Sequence, residues 1–467
     1  MHNKLLFNTV IYSIGNFLSK IIAFVMLPLY TFYLSTAEFG KFDMYNSIVA
    51  LAVPLISFLL SESALRFLID EDDSDNIRKI ITTSLSGLLI NLTLLIITIS
   101  IFCIFINDNK IGLEISLWTL LTIVNILFIY LQNVARGIDK SKYYAISGIL
   151  YSIGIAIFNV LLLVVFKTGY IGLLISSIFA YVVGIVYLII ANNVLKYFEA
   201  RLIDYNILKK LILYSLPLIP NYLSWWLINM SDRLLISYLM GDSFNGVYAI
   251  AYRFSNILFF AVGVFNLAWQ ESAIVTYKNK DRNEYYSTVF DNYLSILLNI
   301  TLILIPLFPL IFLFLSSEYY EALYLIPILL YSVVFSALSS FYGTAFQSSK
   351  KTMGALSSSI LAGLINIALN IALIPILGLM GASIATLVSF FVMFVYRVYQ
   401  TRIYFIIKYN YKKIMQLIVL NLIQLTVFYN TTNVLVILIS FLFVYENRVI
   451  LKKLLLNKNK FSEMKGE

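Results

Sequence analysis

The chain has few of the residues on which enzymes and metalloproteins commonly depend. Its 467 residues include a single histidine, His2, and a single cysteine, Cys103. One histidine excludes a histidine-based catalytic triad, a dyad or a zinc cluster. One cysteine excludes a disulfide framework and a thiolate metal site. The sequence also lacks a Walker-type glycine loop, so ATP does not drive the chain directly. We therefore expect no cofactor and no metal site.

Charge is scarce as well, and apolar residues dominate. Only 12% of the residues are charged and 61% are hydrophobic, which is far too apolar for a water-soluble globular protein. The formal charge of +9 would suggest a nucleic-acid partner in a soluble protein, but in a membrane protein the positions of the charges matter more than their sum. We therefore expect an integral membrane protein with no nucleic-acid partner. Almost no sequence remains for a soluble catalytic domain, so we do not expect an enzyme.

Many apolar segments are long enough to cross a bilayer. A spanning helix needs roughly 20 residues, and runs this continuous lack the alternation of a transmembrane β-strand. Because lipid offers the backbone no hydrogen-bond partner, each segment is predicted to be a helix. The predicted fold is all-α, with about fourteen transmembrane helices. The segments are residues 8–34, 44–66, 80–106, 113–134, 143–166, 170–191, 210–239, 246–272, 288–315, 322–346, 355–377, 379–400, 412–428 and 431–446.

The basic residues fall on one side of the membrane. Sorting the 33 lysines and arginines onto alternating loops places 27 on one side, 3 on the other and 3 within the membrane. Since cytoplasmic loops carry the excess of basic residues, both termini are predicted to be cytoplasmic. The cations sorted to the outer loops are Lys41, Lys110 and Lys167. The cations within the membrane are Lys20, Arg233 and Arg253.

The sequence repeats itself. Residues 169–187 align without a gap on residues 378–396, at an offset of 209 residues, and weaker matches, including Gly40 with Gly246, have offsets from 205 to 211. The offset spans six helices, an even number, so the two copies share one orientation and are related by a pseudo-two-fold axis along the membrane normal. This predicts two parallel six-helix lobes and two extra C-terminal helices. The predicted divisions are 1–191 for the N-terminal lobe, 192–209 for a cytoplasmic linker, 210–400 for the C-terminal lobe, and 401–467 for helices 13 and 14 with a basic cytoplasmic tail.

Two helices carry polar stripes. Residues spaced i, i+4, i+7 and i+11 lie on one face of a helix. In the first span they are Thr9, Ser13, Asn16 and Lys20, and in the seventh span they are Tyr222, Trp226, Asn229 and Arg233. The repeat makes these two spans equivalent, so the stripes could face one another across the lobe interface. Cations pair with phosphate and aromatic rings stack on sugars, so such a cavity suits a pyrophosphate that bears sugars.

The same charged residues allow structural interpretations. Lys20 and Arg233 could neutralise acids such as Asp232 or Glu62 inside the bundle, because ions within a membrane are costly unless they are paired. Arg253 could line the cavity or extend to the lipid headgroups.

The acidic candidates also have two interpretations. Glu62 and Arg66 are spaced i, i+4, which favours an ion pair within one helix. Alternatively, Glu62 or Asp232 could carry a coupling ion, either H+ or Na+.

Several motifs resemble the polysaccharide biosynthesis family of membrane exporters, and their order and spacing cover the whole chain. They are Pro28–Tyr30 with Glu38–Gly40, Ser215–Pro220 followed by Ser231–Arg233 and Asn245–Arg253, and Gly378–Thr386. The resemblance implies membership of the multidrug, oligosaccharidyl-lipid and polysaccharide exporter superfamily, in its Wzx-type O-antigen and capsule branch.

This resemblance implies a V-shaped flippase with a central cationic cavity in the bacterial cytoplasmic (inner) membrane. Such proteins move undecaprenyl-pyrophosphate-linked repeat units from the cytoplasmic to the outer face by alternating access. By similarity, Lys20 and Arg233 would bind the pyrophosphate, and helices 13 and 14 would accommodate the lipid tail. The implied partners are the lipid-linked oligosaccharide, membrane lipid, and the polysaccharide polymerase and chain-length machinery. A self-contained two-lobe cavity favours a monomer.

Three other functions stay open at this point. A cation-coupled drug or small-solute exporter of the same superfamily is expected to favour acids in its cavity, whereas the stripes here are cationic. A lipid II flippase would be essential for growth. A membrane polymerase or glycosyltransferase generally needs a sizeable outer loop with catalytic residues, and every predicted outer loop is short.

Overall fold

A computed structural model of the chain describes residues 21–69, 71–105, 108–193, 196–277, 279–349 and 353–430. These residues fold into helices joined by short turns, and none of them lies in a β-strand. The predicted all-α fold is confirmed, and the protein is a helical integral membrane protein. The predicted positions Asn16 and Lys20, and the fourteenth span, lie outside the described residues.

The principal helices follow one another with few long connections. In chain order they are α1 (Ile21–Tyr33), α2 (Thr36–Ser57), α3 (Leu60–Ile69), α4 (Ser74–Ile104), α5 (Asn109–Gly137), α6 (Ser141–Asn159), α7 (Gly169–Asn192), α8 (Tyr205–Ser215), α9 (Ile219–Leu239), α10 (Asp242–Ser255), α11 (Leu258–Thr276), α12 (Arg282–Phe312), α13 (Ala322–Ser348), α14 (Met353–Leu377), α15 (Leu379–Thr401) and α16 (Tyr411–Asn430).

The helices correspond closely to the predicted spans. Within the described part of the chain, 10 helices are long and apolar enough to cross a membrane, and the pair α2 and α3 forms an eleventh span that bends by 58°. These account for predicted spans 2 to 7 and 9 to 13; the seventh is the continuous stretch of α8 and α9. The eighth predicted span is divided into α10 and α11, and the first is described only from residue 21 onward.

Helix α2 begins before the predicted boundary at residue 44. The Ser35 side chain accepts a hydrogen bond from the Glu38 backbone N–H, and the Glu38 carboxylate accepts one from the Ser35 N–H, which is a capping box. This arrangement satisfies two of the backbone donors that a helix start leaves unpaired. Lys41 and Asp43 therefore lie inside a helix and not in a loop, and the assignment of Lys41 to the outer side stays a prediction.

The chain forms two compact units, Met1–Gly246 and Val247–Glu467. In the first, α3, α4 and α5 share a closely packed core that includes Ala64, Leu88 and Val134, all fully buried. Helix α9, which the repeat assigns to the C-terminal lobe, packs against α2 within this first unit. The lobe boundaries derived from the repeat remain a prediction.

The second unit has an aromatic core. The rings of Trp269 and Phe341 stack with centroids 4.3 Å apart, and those of Phe265 and Tyr293 stack at 3.5 Å. Trp269, Tyr293 and Phe341 are each at most 2% exposed, so these rings form part of the interior of the second unit.

The segment that leads to α16 is fixed to the same unit. It runs along α12 and donates backbone hydrogen bonds to side chains that follow one another at helical-turn intervals. These bonds are Ile406 N–H to Asn283 Oδ1 (3.1 Å), Lys408 N–H to Ser287 Oγ (2.8 Å) and Asn410 N–H to Asp291 Oδ1 (3.5 Å). The segment directly before the thirteenth span is therefore attached to α12.

Candidate functional site

The predicted polar stripe on α9 faces the broken helix formed by α2 and α3. The two helices run antiparallel, so residues near the end of α9 contact the start of α2, and Tyr222 near the start of α9 contacts α3. Three of the four predicted stripe residues have a partner there: Tyr222, Trp226 and Arg233. In this structure the second predicted span, formed by α2 and α3, therefore packs over the stripe.

Arg233 forms a buried ion pair with Asp43. The Arg233 Nε and the Asp43 Oδ2 are 2.6 Å apart, and the side chains are 5% and 9% exposed. The Arg233 guanidinium also donates to the Asn229 carbonyl oxygen and lies 3.1 Å from the Met230 sulfur. Charge-assisted bonds are short and strong, and they matter most where water is absent. The guanidinium is therefore already bound to an anion that the protein itself supplies.

Asp232 lies beside this pair and is completely buried. Its carboxylate accepts the Arg233 backbone N–H at 3.0 Å and is 3.7 Å from the Arg233 Nη1. The guanidinium thus has two buried carboxylates near it. In this conformation Arg233 lies beside acids inside the bundle, as the structural interpretation of this residue expects. One of these acids, Asp43, is not among the residues predicted from the sequence.

Trp226 is held by the backbone of α2. Its indole N–H donates to the Ser47 carbonyl oxygen at 2.8 Å, and the Ser47 hydroxyl points toward the Met230 sulfur at 3.8 Å. A buried indole normally finds a partner for its single donor. This bond fixes the orientation of the ring next to the ion pair.

Asn229 is the remaining residue of the stripe. Its side-chain amide donates to the Trp225 carbonyl oxygen one turn earlier, at 2.7 Å. It therefore bonds within its own helix.

Glu62 marks the other end of the contact between α9 and the broken helix. Its carboxylate accepts a hydrogen bond from the Asn133 amide at 3.2 Å and interacts with the Tyr222 hydroxyl. The Arg136 guanidinium donates to the side-chain Oδ1 of Asn133 at 3.4 Å. Helices α3, α5 and α9 meet in this polar cluster. The predicted pair of Glu62 with Arg66 remains a prediction.

At the predicted outer end, α2 and α10 touch backbone to backbone. The Asn245 amide donates to the Gly40 carbonyl oxygen at 2.7 Å, and the hydroxyls of Thr36 and Ser243 are 2.5 Å apart. A Cβ on Gly40 would lie 1.8 Å from the Asp242 carbonyl oxygen, and a Cβ on Gly246 would lie 1.9 Å from the Thr36 carbonyl oxygen. The structure thus brings together the two glycines that the repeat made equivalent.

The opposite side of α2 is bound to α5 and α7. The Lys41 ammonium is 2.7 Å from the Glu114 carboxylate, which also accepts hydrogen bonds from the hydroxyls of Tyr45 at 2.6 Å and of Tyr170. Glu114 is 4% exposed. Since these groups belong to three helices, the network holds α2 to the body of the first unit.

The remaining predicted residue, Arg253, belongs to the second unit. It lies near the end of α10 and is half-buried. The residues that sequence reasoning missed are Asp43 and Ser47, and the signal that could have found them is the capping box that extends α2 outward.

The second unit contains an apolar cavity of about 640 Å³ between α12, α13, α15 and α16. Leucine, isoleucine, valine and phenylalanine side chains form most of its wall, which also includes four tyrosines. On one side the wall is fixed by Asn421 of α16, which accepts hydrogen bonds from Thr301 and Tyr331, both at 2.8 Å.

Comparison with known proteins gives a family and a fold. The sequence matches the family described as polysaccharide biosynthesis protein over residues 5–270. It is 25% identical over 396 residues to an uncharacterized membrane protein of Methanocaldococcus jannaschii, covering 80% of this chain and 92% of that protein.

Two solved structures illustrate the fold. The lipid II flippase MurJ in an inward closed conformation superposes with a TM-score of 0.71 at 17% identity, covering 96% of this chain and 100% of that one. A multidrug resistance MATE family transporter of the MOP superfamily, in an inward-facing conformation, gives a TM-score of 0.67 at 15% identity, covering 82% and 95% of the two chains. The fold is therefore one that flippases and drug transporters share.

Proposed function

Because the chain belongs to the polysaccharide biosynthesis protein family, we propose that it is a flippase for undecaprenyl-pyrophosphate-linked oligosaccharide repeat units. It would carry O-antigen or capsule units from the cytoplasmic to the outer face of the bacterial inner membrane, by alternating access through a cationic cavity. The observation that carries the proposal is the Arg233 guanidinium, which is buried in the protein and bound to a carboxylate. A buried guanidinium in an intramembrane helix suits a phosphate better than it suits a cationic drug.

The substrate head group would use the residues of both predicted stripes. Cationic side chains would pair with the pyrophosphate, and amides and aromatic rings would contact the sugars. The proposed cationic residues are Lys20, Arg233 and Arg253. The proposed sugar-binding residues are Asn16, Asn229, Trp226 and Tyr222.

The lipid tail of the substrate needs an apolar surface, which a transporter of water-soluble sugars would not provide. The cavity beside α16 has a wall of the required character, and its volume of about 640 Å³ is large enough for part of a polyprenyl chain. Each buried CH₂ group contributes roughly 0.8 kcal/mol. We assign the tail to this region, together with the fourteenth span.

The transport cycle would be coupled to H+ or Na+ rather than to ATP. Glu62 and Asp232 are the proposed coupling residues, since both carboxylates lie at the α9 contact that must change during transport. The protein would act as a monomer with both termini in the cytoplasm, would supply the polysaccharide polymerase and chain-length machinery, and would have no catalytic activity of its own.

A clean deletion with a complemented control tests this function. We expect loss of surface polysaccharide, with undecaprenyl-linked repeat units accumulating on the cytoplasmic face. Unchanged polysaccharide with altered tolerance to cationic drugs would contradict the proposal and favour a drug exporter. Lethality would indicate a lipid II flippase.

Charge reversal refines the test at the level of residues. Lys20→Glu and Arg233→Glu should each abolish transport while the protein level stays intact, because a carboxylate at either position repels the pyrophosphate. Wild-type transport in both variants would exclude the proposed cavity.

A further inference from the structure

We propose that Asp43 is an internal counter-ion for Arg233 that is exchanged for the pyrophosphate of the substrate, and that this exchange releases α2 from α9 at the predicted outer end. The inference rests on the proposed function and adds a residue that the family match and the sequence analysis did not assign. It makes the anionic head group the signal that opens the outer side.

The exchange follows from the burial of the pair. Arg233 and Asp43 are only 5% and 9% exposed, with 2.6 Å between Nε and Oδ2. An arginine stays charged in this environment and cannot be left without an anion. If the guanidinium leaves Asp43, the carboxylate of Asp232 on its own helix stays 3.7 Å from Nη1, and the close contact at Nε that Asp43 gives up becomes available to an incoming anion. A pyrophosphate offers more charge and more acceptor oxygens than a carboxylate does, and it matches the planar fork of arginine.

The position of Asp43 connects this exchange to movement. Along α2, Asp43 lies between Gly40, which touches α10, and Ser47, which accepts the Trp226 indole N–H. All three contacts close the same seam between α2 and its neighbours α9 and α10. The contacts described on either side of the ion pair are neutral hydrogen bonds, so loss of the pair removes a charged contact from the centre of the seam.

The break between α2 and α3 provides a hinge for that movement. Phe58 and Leu59 both have left-handed backbone conformations, with φ of 46° and 52°, and the two helices meet at 58°. Left-handed residues other than glycine are unfavourable, so the break stores strain that a rotation of α2 can relieve. Glu62 on α3 keeps its contacts with Asn133 and Tyr222 while α2 moves.

The network around Glu114 determines which seam opens. Lys41 and Tyr45 of α2 both bond the Glu114 carboxylate of α5. This network does not include Arg233, so the exchange leaves it intact. Helix α2 therefore separates from α9 and stays attached to α5 and α7.

A neutral replacement of Asp43 tests the exchange. The full-length protein is reconstituted in liposomes in a Cys103→Ser background, with Ser47→Cys as a reporter in the seam. The rate of labelling by a membrane-impermeant maleimide, applied from the outer side, reports opening. Undecaprenyl pyrophosphate is the probe ligand. Asp72→Asn, in the exposed turn between α3 and α4, is the matched control.

In the parent protein we expect slow labelling that rises at least tenfold when undecaprenyl pyrophosphate is added. Asp43→Asn should label at the fast rate without ligand, should bind undecaprenyl pyrophosphate about tenfold more tightly because the competing carboxylate is gone, and should transport more slowly. The charge-exchanged variant Asp43→Arg with Arg233→Asp should restore slow labelling, which shows that the single variant is open rather than misfolded. Asp72→Asn should behave as the parent.

The outcomes separate this inference from the proposed function. If undecaprenyl pyrophosphate binds the parent but Asp43→Asn changes neither the labelling rate nor the affinity, the exchange is overturned and the function stands. If Asp43→Asn labels fast but no variant binds undecaprenyl pyrophosphate, the proposed substrate fails and Asp43 is supported as the residue that closes the seam.

Discussion

Replacing Gly40 with alanine should force α2 and α10 apart at the predicted outer end. The added Cβ would lie 1.8 Å from the Asp242 carbonyl oxygen, whereas ordinary contact begins at 3.4 Å, so the two backbones must separate by about 1.6 Å. The Asn245 hydrogen bond to the Gly40 carbonyl, now 2.7 Å long, would then be broken. Overpacking costs roughly 1–3 kcal/mol and the lost bond about 0.5–1.5 kcal/mol.

A change of about 2 kcal/mol shifts the equilibrium between closed and open seams by roughly 30-fold, at 1.4 kcal/mol per factor of ten. The assay is the crosslinking yield between cysteines placed at Thr36 and Ser243, whose hydroxyls are 2.5 Å apart, in a Cys103→Ser background. Gly40→Ala should lower the yield severalfold and reduce transport. Gly112→Ala is the control, because a Cβ there meets nothing within 4 Å. Unchanged crosslinking and transport in Gly40→Ala would refute the close-contact argument.

Two further predictions concern stability of the second unit. Arg397 of α15 is 4% exposed and donates hydrogen bonds to Ser339 O, Ser358 Oγ and Ser359 Oγ. Arg397→Met should therefore lower the free energy of unfolding by about 2 kcal/mol, because these buried acceptors lose their donor. Thermal denaturation of the purified protein checks this against the exposed control Arg402→Met, and equal melting temperatures for the two variants would contradict it. Asn421→Leu removes the acceptor that fixes α16 and should speed proteolysis in residues 402–410 severalfold, while Thr426→Val, on the exposed side of α16, should not; equal cleavage rates in the two variants would show that Asn421 does not hold the helix.

The hydrophobic spans and their order could be predicted from the sequence because a lipid environment leaves a helix as the main option for a long apolar segment. The division of the second and eighth spans could not. The break after Ser57 falls at Phe58 and Leu59, which are apolar residues that hydropathy reads as continuous helix. A hydropathy profile likewise gives no sign that α10 ends at Ser255.

The α9 stripe could be predicted from helical spacing, but its partner could not. Periodicity shows which residues share a face, and it does not show what that face touches. Asp43 was overlooked because hydropathy placed the start of the second span at residue 44. The capping box of Ser35 and Glu38 marks the true start, and it is readable from the sequence.

Charge sorting predicts the side of the membrane on which a cation lies, but it does not predict the surroundings of that cation. Arg397 lies within the predicted span 379–400, and the structure places it inside the second unit, where it is bonded to serine hydroxyls and backbone carbonyls. A serine-rich stretch on a neighbouring helix does not identify an arginine partner without knowledge of the packing. Burial of single charges depends on tertiary contacts that a one-dimensional pattern does not contain.

Reconstituted transport tests the central claim most directly. Liposomes containing the purified full-length chain would be loaded with an undecaprenyl-pyrophosphate-linked oligosaccharide whose sugar is fluorescently labelled, and a membrane-impermeant quencher would report the lipid that reaches the outer leaflet. We predict that the wild-type chain makes inner-leaflet lipid accessible within minutes and that Arg233→Glu does not. If the accessible fraction with the wild-type chain stays equal to that in protein-free liposomes under H+ and Na+ gradients of either direction, the flippase account is contradicted.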